Sequence, residues 1–314
     1  MVDDGSNQVP SRMRAIRLRE PNGVDGLVLE HIETPGPGRG EVLVRVHAAA
    51  ITRDELTWPL GRLPAIPSYE LSGVVAGLGA EVAIPAIGEP VFALTPFDRD
   101  GAAADYAVVP AEIVAPKPVS LGYVEAAAIP LPGLTAWQGL FEHGRLQSSQ
   151  RVLIHGAAGG VGHLATQLAR WSGAHVIGTA TGDAVAEARE LGAHEVVDRG
   201  SARFEDAVEP VDLVFDTVGG EVLTRSPAVV RAGGRIVSVA EEPPELSTDV
   251  EATYFVVEPN GRQLAELGGL VERGDVRPRI DSVYPLVDAR PAFERSGARG
   301  TRGKIVIDVV GDGT

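Results

Sequence analysis

Residues 151–162 read RVLIHGAAGGVG, and no other segment narrows the fold as far. An apolar run over 151–155 passes into a glycine-rich turn, and the turn into a helical pattern, His163-Leu-Ala-Thr-Gln-Leu-Ala-Arg170. Gly173-Ala-His-Val-Ile-Gly178 then reads as a second buried strand, so the whole has the make-up of a βαβ unit of about 30 residues. Strands joined through a helix in this way run parallel, and a parallel sheet needs helices over both faces. Small residues at the strand end let the backbone approach a pyrophosphate. A helix beginning near Gly160 would aim its free N–H groups and positive dipole end at that charge. In the dinucleotide pattern G-x-G-x-x-G the three places are held by Ala157, Gly159 and Gly162, with Gly156 just ahead and Gly160 and Val161 between.

The alternation continues downstream. Strand-like runs at 151–155, 175–179, 195–197, 213–216 and 235–239 are separated by helical runs at 160–172, 184–191, 204–207 and 221–230, which gives a doubly wound parallel sheet. Upstream the pattern differs. Short Val/Ile-rich runs at 13–18, 27–32, 41–51, 70–76, 90–95 and 104–109 are split by turn residues such as Pro35-Gly-Pro-Gly38, a compact β-barrel signature. Residues 119–131, 132–143 and 264–272 read as helical, and 283–285, 289–295 and 304–309 as strand, helix and strand. The last strand is expected to return to the β-rich unit, because the parallel sheet is complete without it. The expected fold class is thus α/β. A β-barrel unit at 11–130, completed by 275–314, would stand beside a doubly wound sheet unit at 131–274, with the site in the cleft between them and a disordered tail over 1–10.

Composition excludes several function classes. A net charge of −15 over 314 residues argues against nucleic acid as a main partner. No apolar run reaches the roughly 18–20 residues of a membrane span. Residues 1–10 lack the basic and apolar regions of a signal peptide, so a cytoplasmic location is expected. Zero cysteines remove disulfides, thiolate nucleophiles and thiolate metal ligands. The histidines at 31, 47, 143, 155, 163, 175 and 194 form no H-x-H or H-x-x-x-H pair, so each reads as a surface or packing residue and no metal site is expected.

In combination and order, Gly133-Leu-Thr-Ala-Trp137, His155-Gly-Ala-Ala-Gly-Gly-Val-Gly162, Phe215-Asp-Thr-Val-Gly-Gly220, Ala232-Gly-Gly-Arg-Ile-Val237 and Arg302-Gly-Lys-Ile-Val306 resemble the medium-chain dehydrogenase/reductase superfamily. More narrowly the chain is similar to the zinc-independent quinone oxidoreductase (zeta-crystallin-like) branch. The resemblance implies a GroES-like catalytic barrel plus a Rossmann domain binding NADP(H). It implies that Thr135 lies near the nicotinamide. Val218, Gly219, Val239 and Ala240 would line the carboxyl edge of the sheet, and Phe255, Val256 and Val257 the nicotinamide side. Thr179, Thr181, Arg199 and Lys304 complete the coenzyme set it implies.

Zinc-dependent members hold their metal with a cysteine, the histidine of a G-H-E motif and a further cysteine or carboxylate. The G-H-E place here reads Ser68-Tyr69-Glu70, and the cysteine-rich structural lobe is missing. Zinc stabilises the alkoxide in alcohol oxidation, so the resemblance implies hydride transfer to a small electrophile that needs no such help, a quinone or a carbonyl-conjugated alkene. NAD-type sites carry Asp or Glu at the end of the second strand, where this chain has Ala180. Arg199 matches a position that contacts a 2′-phosphate, although Val185 departs from the lysine of many NADPH-dependent relatives and Asp183 lies nearby. Of the N-x-x-D pattern common in relatives, Thr52 and Glu55 hold the two places, with Trp58 just beyond. These three are the catalytic candidates, or a loop over the cleft without a chemical role. An enoyl-thioester reductase and a dinucleotide-binding protein without turnover remain as alternatives. Apolar strands at 232–239 and 254–257 on one sheet edge lead to the expectation of a homodimer.

Overall fold

The computed structural model of the protein describes residues 9–58, 61–244, 249–298 and 300–311. The expected tail at 1–10 lies outside them except for its last two residues. The β-rich half holds β1 (Arg12–Leu18), β2 (Leu27–Glu33), β3 (Glu41–Ile51), β4 (Glu70–Leu78), β5 (Pro90–Leu94), β6 (Tyr106–Pro110) and β7 (Ala115–Pro116). β1 and β2 form a two-stranded sheet, and β1 is also bridged to Ala65 and Ala104. The rest is built around β3, which is antiparallel to β4 on one side and, over its first half, to β6. β4 passes the sheet on to β5 and β5 to β7. Val42, Val44 and Val46 are fully buried at every second position of β3, which is the period-two pattern of a strand with one face on a core.

The second half holds α1 (Tyr123–Ala127), α2 (Pro130–Trp137), β8 (Arg151–His155), α3 (Gly162–Trp171), β9 (His175–Ala180), α4 (Ala184–Glu190), β10 (Glu195–Asp198), α5 (Phe204–Ala207), β11 (Val211–Asp216), α6 (Gly220–Arg225), β12 (Val230–Ser238), β13 (Glu251–Tyr254) and α7 (Gly261–Glu272). The strands form one parallel sheet in the order β10-β9-β8-β11-β12-β13. The winding direction reverses between β8 and β11, and open α/β sheets bind ligands in the crevice at such a reversal. Both faces are covered, which explains why β8 is apolar without alternation. Val152 and Ile154 pack with Leu134, Leu164 and Leu168, while Leu153 packs with Ile177, Val214 and Ile236 on the opposite face. Each such side chain contributes about 1.5–3 kcal/mol on burial.

β14 (Ile280–Pro285), α8 (Ala289–Gly297) and β15 (Lys304–Asp308) return to the β-rich half, as expected. β15 runs parallel to β14 and antiparallel to β3, with Ile305 opposite Ile51. Among the described residues no helix is long and apolar enough to cross a membrane.

Three local expectations are corrected. The helix after the glycine-rich turn begins at Gly162, not Gly160. The helical reading over 119–131 breaks into α1 and α2, with a proline in the first turn of α2, where its missing N–H and fixed φ fit. The outer strand of the parallel sheet is β13, four exposed residues at 251–254, and not an apolar strand over 254–257. Beyond it Phe255 and Val257 are buried in the core and Val256 is 58% exposed.

Candidate functional site

The glycine-rich turn closes the carboxyl end of β8 at the switch point, and its shape forbids side chains at two positions. Gly156 has φ +72°, a left-handed conformation that favours glycine, and a Cβ there would meet Thr217 Oγ1 at 2.9 Å. A Cβ on Gly162 would lie 1.9 Å from the Gly156 carbonyl oxygen. Ala157, in the first place of the fingerprint, is fully buried, with its N–H donating to Thr179 O at 3.0 Å. Gly159 N–H donates to Gly156 O at 2.8 Å. Nothing from a side chain caps the first turn of α3, where Val161 is the capping residue. A glycine-rich turn closed by tight backbone approaches at Gly156 and Gly162, ending on a helix start that no side chain caps, fits the pyrophosphate of a dinucleotide.

Buried polar groups brace this cradle from below. His155 is fully buried between Thr179 Oγ1 (3.2 Å) and Ser226 Oγ (3.0 Å), and burial, reinforced by the Arg199 and Arg225 cations, brings its pKa down to about 3. His163 bonds Gly159 O through Nδ1 (3.0 Å) and receives the Arg279 N–H on Nε2 (3.1 Å), so its tautomer is set and burial holds it neutral. Both therefore act as packing residues, as the sequence implied. Thr179 is fully buried, with its hydroxyl receiving the Gly156 N–H at 3.3 Å, and Thr181 is exposed one residue beyond β9.

The rim on the other side of the switch point is organised by Asp216, which the sequence reading did not single out. Its carboxylate receives the N–H groups of Val218 (3.2 Å) and Gly219 (3.0 Å) and the hydroxyl of Ser238 (3.0 Å). Burial raises its pKa, against these hydrogen bonds. Ser238 Oγ in turn receives Ala240 N–H at 3.2 Å, and Val239 N–H donates to Asp216 O at 3.0 Å. Val218, Gly219, Val239 and Ala240 are thus brought together along one edge. An Asp at the end of a strand followed by Thr-Val-Gly-Gly was the available signal.

At the far end of the crevice Arg199 N–H donates to Ala180 O at 3.0 Å, which puts Arg199 beside the position where an NAD-type carboxylate would stand. Its Nε is buried without a hydrogen-bond partner. Val185 packs against the core, and Asp183 is 91% exposed with Arg302 at 4.0 Å.

The barrel side contributes a buried ionic cluster. Lys304 is 4% exposed, with Nζ 2.5 Å from Glu70 Oε1 and donating to Thr52 Oγ1 at 3.2 Å. Glu70 Oε2 receives the Leu131 N–H at 2.9 Å, from the helix that carries Thr135. The side-chain stem of Lys304 borders Gly160, 3.9 Å from a Cβ built there. Its charge, however, is taken up by Glu70. Glu55 is 1% exposed, and its two oxygens receive Thr52 N–H (3.0 Å) and Ser68 N–H (2.9 Å). Burial pushes its pKa up to about 8, opposed by those N–H bonds and Lys304. Both oxygens of Glu55 are thus engaged by the backbone around the loop. Trp58 is half-buried against Tyr69 and Phe97, and Thr135 spends its hydroxyl on Leu131 O at 2.6 Å.

This donor set does not fit a catalytic zinc. Thr52, Ser68, Tyr69 and Glu70 provide neither a thiolate nor an imidazole, and the one carboxylate among them is paired with Lys304.

Residues 38–119 match the family described as "Alcohol dehydrogenase GroES-like domain" and residues 191–307 the one described as "Zinc-binding dehydrogenase". The chain is 34% identical over 326 residues to a "2-methylene-furan-3-one reductase" of Solanum lycopersicum, covering 96% of this chain and 80% of the relative. It is 30% identical to an "NADPH-dependent alkenal/one oxidoreductase, chloroplastic" of Arabidopsis thaliana, covering 95% and 80%. Among solved structures, the quinone oxidoreductase from Coxiella burnetii superposes with a TM-score of 0.87 at 31% identity, over 95% of this chain and 99% of that one. Both halves of the fold, the switch-point cradle and the identity along nearly the whole chain agree, and the chain belongs to the medium-chain dehydrogenase/reductase superfamily, in its quinone oxidoreductase (zeta-crystallin-like) branch.

Proposed function

We propose that the protein is a zinc-independent, NADPH-dependent oxidoreductase that passes hydride to a quinone or a carbonyl-conjugated alkene. The observation that carries the reading is the union of the glycine-rich turn at Gly156–Gly162 with a barrel side whose buried charges, Lys304 and Glu70, are paired to each other instead of serving a metal. When bound, the reduced nicotinamide supplies the hydride, and such acceptors take it without a Lewis acid. The backbone of 156–162 and the start of α3 would hold the pyrophosphate, and Val218, Gly219, Val239 and Ala240 the coenzyme's length along the sheet edge. Phe255, Val256 and Val257 would close its nicotinamide side. Residues 11–130 with 275–314 form the catalytic unit in this reading and 131–274 the coenzyme unit. The names of the tomato and Arabidopsis relatives support the acceptor class.

Selection of NADPH over NADH rests on Arg199. Its backbone bond to Ala180 O, and an Nε with no hydrogen-bond partner among the described residues, support a 2′-phosphate where a carboxylate would otherwise repel it. Assembly as a homodimer is supported by β13, whose outer edge is open and exposed. Light scattering at micromolar concentration distinguishes dimer from monomer. The test of function is NADPH oxidation across quinones, enones and enoyl thioesters. Turnover with the first two supports the reading, preference for the thioesters moves the substrate to a biosynthetic carrier, and no turnover with any acceptor refutes it.

A further inference from the structure

Tyr69 is 1% exposed, and its Oη has no hydrogen-bond partner among the described residues. A buried hydroxyl left idle costs about 1–3 kcal/mol relative to its hydrated state, so phenylalanine would be the more stable residue there unless the oxygen serves something. The side chain is nonetheless fixed with care. Trp58 stacks on it at 5.8 Å and 24°, and Phe97 meets both rings edge-on, at 5.2 Å from Tyr69 and 5.1 Å from Trp58. Its carbonyl oxygen is held twice, by the N–H (2.6 Å) and the hydroxyl (3.0 Å) of Thr95. Just before it, Ser68 has φ +65°, a left-handed conformation that costs a non-glycine residue energy, and Glu55 clamps it there through the Ser68 N–H. A strained residue, a buried carboxylate and two aromatic rings together determine where the phenol sits.

That place is the histidine position of the G-H-E pattern, against Trp58 of the candidate loop. Tyr69 belongs to the apolar cluster that contains Ala157 and Ala158 of the glycine-rich turn and Leu131 and Leu134 of α2. The next residue, Glu70, is tied to Lys304 and to Leu131. We propose that Tyr69 is a catalytic residue whose Oη–H donates a hydrogen bond to the carbonyl oxygen of the acceptor. The proposal rests on the reductase reading above and adds the group that recognises the acceptor.

The chemistry balances without further participants. Hydride from the reduced nicotinamide forms a C–H bond at the β-carbon of the alkene. The C=C π pair moves to the α-carbon and onto the carbonyl oxygen, leaving an enolate and an oxidised nicotinamide. Tyr69 keeps its proton and hydrogen-bonds to the oxygen as charge develops. Water then protonates the α-carbon, and the hydroxide formed is neutralised by solvent. Burial, with Glu55 and Asp100 facing the phenol and only Arg62 opposing them, pushes its pKa up to about 12, so it donates a hydrogen bond without ionising.

Tyr69→Phe tests this, since it removes one atom and leaves the aromatic cluster in place. With cyclohexenone as acceptor, kcat is expected to fall about a hundredfold, the loss typical of one oxyanion donor, with the Kd of NADPH unchanged. Binding of cyclohexanone, a saturated ketone that accepts no hydride at carbon–carbon, is expected to weaken about tenfold. The melting temperature should stay level or rise. A kcat within threefold of wild type, or unaltered cyclohexanone affinity, overturns the proposal. So does a drop in melting temperature, which would mean that the hydroxyl has a structural partner. If wild type turned over no acceptor, the reductase reading would fall, and the cyclohexanone arm would still judge Tyr69.

Discussion

Gly162→Ala sets two physical effects against each other at one position. Gly162 opens α3, and in a helix alanine is favoured over glycine by about 1 kcal/mol. Yet its Cβ would lie 1.9 Å from Gly156 O, 2.8 Å from Gly156 C and 3.0 Å from Ala157 Cα, all of them backbone atoms. No rotamer relieves such contacts, so the turn must open by about 1 Å, and overpacking of this kind costs about 1–3 kcal/mol. The net loss of about 0–2 kcal/mol lowers the melting temperature by no more than several degrees. The larger consequence is for the ligand. Displacing positioning groups by about 1 Å costs on the order of a hundredfold, so the Kd of NADPH should rise by about that factor. Gly269→Ala in α7 is the control, because the nearest atom to its Cβ is the flexible Arg273 guanidinium at 3.5 Å, and there alanine should raise the melting temperature. Fluorescence titration and thermal melts read both. If Gly162→Ala behaved like Gly269→Ala and kept its NADPH affinity, close approach in the turn would not be the reason for glycine.

Three other outcomes are expected. Arg199→Ala should weaken NADPH by about tenfold to a hundredfold, one charge-assisted contact of about 1.5–3 kcal/mol, and leave NADH nearly unchanged; equal weakening of both coenzymes would make Arg199 structural. The raised pKa of Glu55 means that its contribution to stability is complete below its ordinary value of 4.5 and is lost as pH rises through about 8, by at most about 5 kcal/mol. Glu55→Gln has no such slope and can accept only one of the two N–H groups with its single oxygen. It should therefore be less stable than wild type at pH 5 and closer to it at pH 8, and parallel urea-unfolding stabilities at the two pH values would refute this. Turnover should survive exhaustive dialysis against a chelator, and stoichiometric zinc by elemental analysis with chelator-sensitive activity would contradict the donor-set argument.

What the sequence made legible was local. The strand–turn–helix at 151–171 could be read because its demands fall on neighbours: Gly156 must take a positive φ, Gly162 must lie against Gly156, and β8 must be apolar on both faces. The return of β15 to the barrel followed from counting strands. The clustering of the barrel side was not legible, since Glu70 and Lys304 meet only through the pairing of β15 with β3 and β3 with β4. The burial of Glu55 was not legible either, because it depends on Ser68, 13 residues on, arriving with its N–H pointed inward. Tyr69 stood out only as a departure from the histidine of G-H-E, and only three-dimensional burial shows its hydroxyl to be idle. The outer strand was misplaced because Glu251-Ala-Thr-Tyr254 is polar, and a strand at the margin needs only the backbone bonds of β12 to form.

The pairing of β15 with β3 also fixes a timetable. Ala48, Ala49, Ala50 and Ile51 emerge from the ribosome roughly 250 residues before their partners, which at about 5–20 residues per second is on the order of 10–50 seconds. Throughout that interval a small-residue strand margin has no neighbour, and the Glu70 carboxylate has no Lys304. The nascent barrel half must wait, incomplete and prone to stray pairing, while the whole parallel sheet is made. Closure of the barrel is therefore a late event, and a molecule interrupted before β15 lacks both the partner of β3 and the Lys304–Glu70 pair.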